Sequence, residues 1–116
     1  TYWQAWFNLG SLRALRGDLG GALPIFQRVL VHHPRRADIW SNLAGAFVGL
    51  GDYQQAIRTL ERALLIAPTR PDIYVELLRL YIVQRQYGKA DTLYHRALSE
   101  FPADAQLHAL HGEIDH

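Results

Sequence analysis

Residues recur along this chain at steps of 34, and that period constrains the fold more than any other feature. Prolines stand at Pro34, Pro68 and Pro102, and alanines at Ala22, Ala56 and Ala90. In the same register a large ring recurs at Trp6, Trp40 and Tyr74, with a leucine three residues later at Leu9, Leu43 and Leu77. Gly10, Ala44 and Leu78 follow, then Leu19, Tyr53 and Tyr87, then Phe26, Leu60 and Tyr94, then Val29, Ala63 and Ala97. A period of this length makes the repeat, rather than the whole chain, the unit whose folding must be explained.

Inside each repeat the apolar residues fall three and four apart, the spacing of one face of an α-helix. The middle repeat predicts a helix A from about Asp38 to Leu50 and a helix B from about Tyr53 to Ala67. Asp38 and Asp52 are cap-type residues at the two starts, Gly51 allows a tight turn, and Pro68 forbids continuation. Repeat one carries the same turn as Gly17-Asp18-Leu19. Repeat three has Arg85-Gln86-Tyr87, which keeps only the aromatic. Short residues at Gly10, Ala22, Ala44, Ala56, Ala63, Ala90 and Ala97 let two antiparallel helices approach. Large ones at Trp6, Trp40, Leu43, Phe47, Tyr81, Phe26 and Tyr94 fill the space between hairpins. One hairpin cannot hide such a face, so stacking is what makes the chain fold.

Composition narrows the function. Hydrophobic residues make up 49% of the 116 and charged residues 20%, too apolar for a disordered chain. The formal net charge of +1 offers no electrostatic case for nucleic acid or an anionic membrane. No apolar stretch reaches the length of a spanning helix, so membrane insertion is not expected. The absence of cysteine removes disulfides, thiolate metal sites and thiol nucleophiles. A first residue of Thr1 rather than Met is read as the mark of a processed or excised fragment.

The middle repeat, from Ala37-Asp38-Ile39-Trp40-Ser41-Asn42-Leu43-Ala44 through Phe47, Gly51-Asp52-Tyr53, Ala56, Ala63 and Pro68, closely resembles a tetratricopeptide repeat. The resemblance covers repeats at 3–36, 37–70 and 71–104, with 105–116 resembling the start of a fourth, within one array over 1–116. It implies an all-α, right-handed solenoid of helix-turn-helix hairpins with about six to seven helices. Arg13 departs from the pattern where the family has an aromatic, which leaves an end repeat looser. Leu78 replaces a small residue and is expected to splay the third hairpin. His108 and His111 replace the aromatic and leucine of the partial repeat, as on a capping helix or at a truncation.

The resemblance further implies a concave groove, lined by the A helices, that binds a peptide or protein. Positions not used for packing supply its wall: Gln4, Phe7, Asn8 and Ser11 from repeat one, and Asp38, Ser41, Asn42, Gly45 and Gly49 from repeat two. Repeat three adds Asp72, Val75, Glu76, Arg79, Ile82 and Val83. Asn8, Asn42 and Glu76 are equivalent and form a polar ladder suited to a peptide backbone. Phe7, Val75 and Ile82 lie beside them as apolar anchors, and Gly45 with Gly49 leaves a shallow depression. The family's two-carboxylate clamp fits poorly. Asn42 matches its asparagine, but Phe7 and Ser11 take the places of a lysine and an asparagine, and Asp72 and Glu76 those of a lysine and an arginine. Acidic groups there repel a terminal carboxylate, so the expected partner is an apolar, neutral to weakly basic protein segment. The alternative is a structural spacer, or self-association through an exposed terminal face.

An enzyme is not expected, because no nucleophile elbow, dinucleotide fingerprint or phosphate loop is present. His108 and His111, with Glu113, Asp115 and His116 nearby, do not fall on one forced face, and no metal or cofactor is expected. His32 and His33 read as a helix end and His95 as solvated. Arg28, Arg62 and Arg96 recur on helix B, as a basic ridge or as solvated cations near helix C-termini.

Overall fold

The structure, a computed structural model, describes residues 2–67 and 70–110. Among the described residues it contains seven α-helices and no strand: α1 (Tyr2–Leu15), α2 (Leu19–His32), α3 (Ala37–Gly49), α4 (Tyr53–Ile66), α5 (Pro71–Val83), α6 (Tyr87–Glu100) and α7 (Ala105–Ala109). Helix α3 and α4 begin and end within a residue of the bounds read from the sequence. Pro68, His111, Glu113, Asp115 and His116 lie outside the described residues. The chain forms two compact units, Thr1–Pro68 with α1 to α4 and Thr69–His116 with α5 to α7.

Each hairpin turns by the same device. At the end of α3, Gly51 adopts φ 81°, its N–H bonds to the Val48 carbonyl at 2.9 Å, and the next N–H, of Asp52, reaches back to Phe47 at 2.9 Å. These two bonds satisfy the last carbonyls of the helix and need a residue that tolerates the left-handed region. Asp52 then caps α4, accepting from the Gln55 N–H at 3.2 Å. Gly17 at φ 87° and Asp18, which accepts from the Gly21 N–H at 3.0 Å, repeat the arrangement before α2. In the third hairpin Arg85 occupies the left-handed position at φ 59°, a conformation costing an L side chain about 1 kcal/mol or more. The backbone bonds persist, Arg85 to Ile82 at 3.0 Å and Gln86 to Tyr81 at 2.8 Å. Gln86 makes no side-chain cap bond.

Asp38 does not cap α3, contrary to the reading of the sequence. The cap position is Arg36, one residue before the helix, and Asp38 receives its guanidinium at 3.2 and 2.9 Å. A carboxylate in the first turn still complements the positive end of the helix. Thirty-four residues on, Arg70 Nε stands 3.2 Å from Asp72 Oδ1 at the start of α5.

Packing follows the size of one residue per A helix. A Cβ built on Gly10 would lie 2.9 Å from Phe26 Cε1 and 3.0 Å from Ile25 Cγ2, so α1 and α2 meet closely only because Gly10 has none. Ala44 lets α3 and α4 come nearly as near, whereas α5 and α6, with buried Leu78 between them, run close over a shorter length. The outer face of the first repeat is exposed, although α1 and α2 pack closely. Trp40 is 7% exposed beneath α2, but its equivalent Trp6 is 43% exposed, beside exposed Leu9, Leu12 and Arg13. All three tryptophans, Trp3, Trp6 and Trp40, belong to the first unit.

Candidate functional site

Helix α3 is two-faced. Trp40, Leu43, Ala44 and Ala46 are buried, while Asn42, Gly45 and Gly49 are exposed and Asp38 and Ser41 half-buried. On neighbouring α1, where only Gly10 is buried, Asn8 is exposed one repeat before Asn42. Phe7 is half-buried because its ring tilts against that of Phe26, the centroids 5.9 Å apart. Ser11 is also half-buried and Gln4 exposed. Nothing lies within 4 Å of where a Gly45 Cβ would stand, which leaves the backbone of α3 open to close approach. The depression does not extend to Gly49, where Leu19 Cδ1 fills the space of the missing side chain.

Electrostatics on this face are muted. Asp38 is neutralised by Arg36, and Asn8 and Asn42 carry no charge. Ser41 Oγ is shut off from solvent and unpartnered among the described residues. The first unit thus presents two carboxamides, an open helix backbone and the edge of one aromatic ring.

The second unit places its set on α5. Val75, read as an exposed anchor, is 4% exposed and unavailable to a ligand, because a helix position that looks outward in one repeat is covered in another. Glu76 and Ile82 are half-buried, Asp72 is half-buried beside Arg70, and Arg79 and Val83 are exposed. Behind them, fully buried Tyr74 donates to Glu100 Oε2 at 3.1 Å and stacks edge-on to Phe101. Burial, then the hydrogen bond to Glu100, pushes the Tyr74 phenol above its ordinary 10.0, against the lowering influence of Arg96.

Two of the three recurring arginines of the B helices, Arg28 and Arg96, lie over aromatic rings. Arg28 lies over the Trp6 ring at 5.8 Å, and Arg96 over the Tyr74 ring at 5.9 Å. Both pairs are 22 residues apart, as are Trp40 and Arg62, so the spacing is compatible with the contact without fixing it. His33 terminates α2 and packs on Trp3 at 4.8 Å between ring centroids. His95 sits 3.3 Å from Asp91. Among the described residues no group of three His, Cys, Asp or Glu could hold a metal ion, and no helix is long and apolar enough to cross a membrane.

The family model for the tetratricopeptide repeat matches residues 14–65 and 47–114. The chain belongs to the tetratricopeptide repeat family. No curated protein sequence matches it. Among solved structures it is similar to a tetratricopeptide repeat protein from Parabacteroides merdae, at 21% identity and TM-score 0.86, over 97% of this chain and 44% of that one. It is also similar to MamA from Desulfovibrio magneticus RS-1, at 21% identity and TM-score 0.81, over 97% of this chain and 63% of that one. The second tetratricopeptide domain of human RPAP3, solved in complex with the HSP70 peptide SGPTIEEVD, aligns at 16% identity and TM-score 0.78, over 94% and 91% of the two chains. At these identities the likenesses show the tetratricopeptide fold. The chain spans less than half the length of the Parabacteroides protein. Tetratricopeptide repeats are in general non-catalytic scaffolds for protein–protein interaction.

Proposed function

We propose that the face of the first unit formed by α1 and α3 binds a peptide or short helix of a partner protein, and that the chain is a binding module rather than an enzyme. The observation that carries this reading is the exposure of Asn8 and Asn42 in one register beside the open backbone at Gly45. Carboxamides both donate and accept, which suits the amides of an extended segment or polar side chains of a helix. With Asp38 neutralised by Arg36, the face favours an apolar segment that is neutral to weakly basic. Glu76, Arg79 and Ile82 form a further candidate set on α5.

Nothing on this face reproduces a carboxylate clamp, since Phe7 and Ser11 stand where a lysine and an asparagine would be needed. Titration calorimetry tests both parts. The peptide SGPTIEEVD, bound by the RPAP3 domain, is expected to give no heat with this chain. A partner segment recovered by affinity capture is expected to bind the wild type and to bind Asn8→Ala/Asn42→Ala at least tenfold more weakly, as two buried hydrogen bonds are worth roughly that much. Unchanged affinity removes the site from this face.

A second reading rests on α1, whose Tyr2, Trp6, Leu9 and Leu12 are exposed where the equivalent face of α3 is covered by α2. Such a face suits another hairpin, in a longer array or from a second copy. Light scattering decides between them: association that disappears when a copy of repeat two is fused before α1 indicates an array, and dimers that persist indicate a separate contact.

A further inference from the structure

The face of α3 opposite Asn42 and Gly45, about 180° around the helix at roughly 100° per residue, forms the floor of a second concavity within the first unit. It is a trough of about 830 Å³ between α2 and α4, floored by Leu30, Trp40, Leu43 and Phe47. Val31 lines it from α2, and Leu65 and Ile66 line it from α4. These side chains stay in water: Val31 is 76% exposed and Leu65 83%. They occupy the same position of successive repeats, where the third repeat has Ser99. An apolar row confined to two repeats is not a demand of hairpin stacking, which all three share.

The charge on the trough is one-sided. Arg58 and Arg62 line it from α4, one helical turn apart, and among the described residues neither is paired with a carboxylate. Glu61, the acidic residue on the same wall, already has an interaction of its own. Thr59 spends its hydroxyl on the Gln55 carbonyl at 2.7 Å. The α2 wall contributes only the neutral Gln27 among polar side chains.

We propose that this trough is a second docking surface, distinct from the Asn8 and Asn42 face, and that it takes an amphipathic helix of a partner protein with an apolar stripe and an acidic edge. An apolar floor between two helical walls matches the helix-in-groove mode, in which residues three and four apart insert as anchors. The free guanidinium pair on one wall sets the orientation, because only a helix with its carboxylates on that side satisfies them.

Two synthetic probes test it, each about 20 residues, beyond the length at which an isolated helix is marginal in water. Both carry leucines at three- and four-residue spacing. One has glutamates along one edge and the other lysines. Added to the isotopically labelled full chain, the glutamate probe is expected to shift amides of α2, α4 and the buried face of α3. The lysine probe is expected to bind about tenfold more weakly, and Arg58→Glu/Arg62→Glu to weaken the glutamate probe by a similar factor, the size of two exposed ion pairs turned into repulsions. Leu65→Ser, at an exposed site that leaves the fold intact, is expected to weaken both probes. Asn8→Ala/Asn42→Ala leaves all affinities unchanged, which separates this surface from the concave face. Equal binding of the two probes, shifts confined to the Asn42 face, or self-association abolished by the arginine reversals would overturn the proposal.

Discussion

The indole N–H of Trp40 donates to the carbonyl of Pro34 at 2.6 Å, tying the first helix of repeat two to the loop that ends repeat one. Sixty-eight residues later Nε2 of His108 stands 2.7 Å from the Pro102 carbonyl in the same geometry. A ring nitrogen thus faces the same carbonyl in two repeats, whereas Tyr74, at the equivalent position between them, turns its hydroxyl to Glu100. Trp40→Phe removes the donor and preserves most of the packing. It is expected to destabilise the first unit by about 1 kcal/mol, against the 3–5 kcal/mol expected of Trp40→Ala, as read by denaturant unfolding.

Arg85 and Gln86 are the places where the third turn departs from the other two. Arg85→Gly relieves a left-handed side chain and is expected to stabilise the second unit by about 1 kcal/mol. Gln86→Asp supplies the cap that Asp18 and Asp52 provide elsewhere, for about 1 kcal/mol more. Hydrogen exchange of α5 and α6 amides measures the gain; no added protection would mean the strain is relieved in some other way.

Gly10 and Gly45 should respond oppositely to alanine. At Gly10 the new methyl meets the buried Phe26 ring, and overpacking of about 1–3 kcal/mol exceeds the helix gain of about 1 kcal/mol. At Gly45 the space is empty, so only the gain of about 1 kcal/mol remains. Thermal melts of the two variants are expected to move in opposite directions. Gly45→Ala should weaken partner binding at the concave face despite its higher stability.

Tyr74 gives the second unit a dependence on alkaline pH. Its phenol is held above 10.0 in the folded chain, whereas the unfolded chain loses the proton near that value. Below about pH 10 both states are protonated and the contribution is constant. As pH rises from 10 toward the folded value, the unfolded state binds fewer protons and stability falls. Tyr74→Phe is expected to flatten this part of the pH profile while losing about 1 kcal/mol at neutral pH from the bond to Glu100. An unchanged alkaline slope would assign the loss to other groups.

Much of the fold was legible because a period of 34 repeats every constraint three times. The α4 start at Tyr53, the turn at Gly51 and the cap at Asp52 follow from residue type and spacing alone. Asp38 has the residue type of a cap, but sequence does not tell which of two neighbouring polar residues leaves the helical conformation; that residue is Arg36, and Asp38 pairs with it from the first turn. On the candidate site, the periodicity separates the Asn42 side of α3 from its Trp40 side. It cannot register that Leu19 fills the notch at Gly49, or that Val75 is covered, since both depend on how far a neighbouring side chain reaches. The trough between α2 and α4 is not legible in the sequence, where Val31 and Leu65 look like ordinary helix-end apolar residues until their exposure is known.

With Trp3, Trp6 and Trp40 all in the first unit, indole emission reports on that half of the molecule and is silent about the other. An unfolding curve followed by fluorescence and one followed by amide circular dichroism will superimpose only if the halves melt as a single cooperative block. The chain thus carries its own built-in label for asking whether three hairpins behave as one object or two.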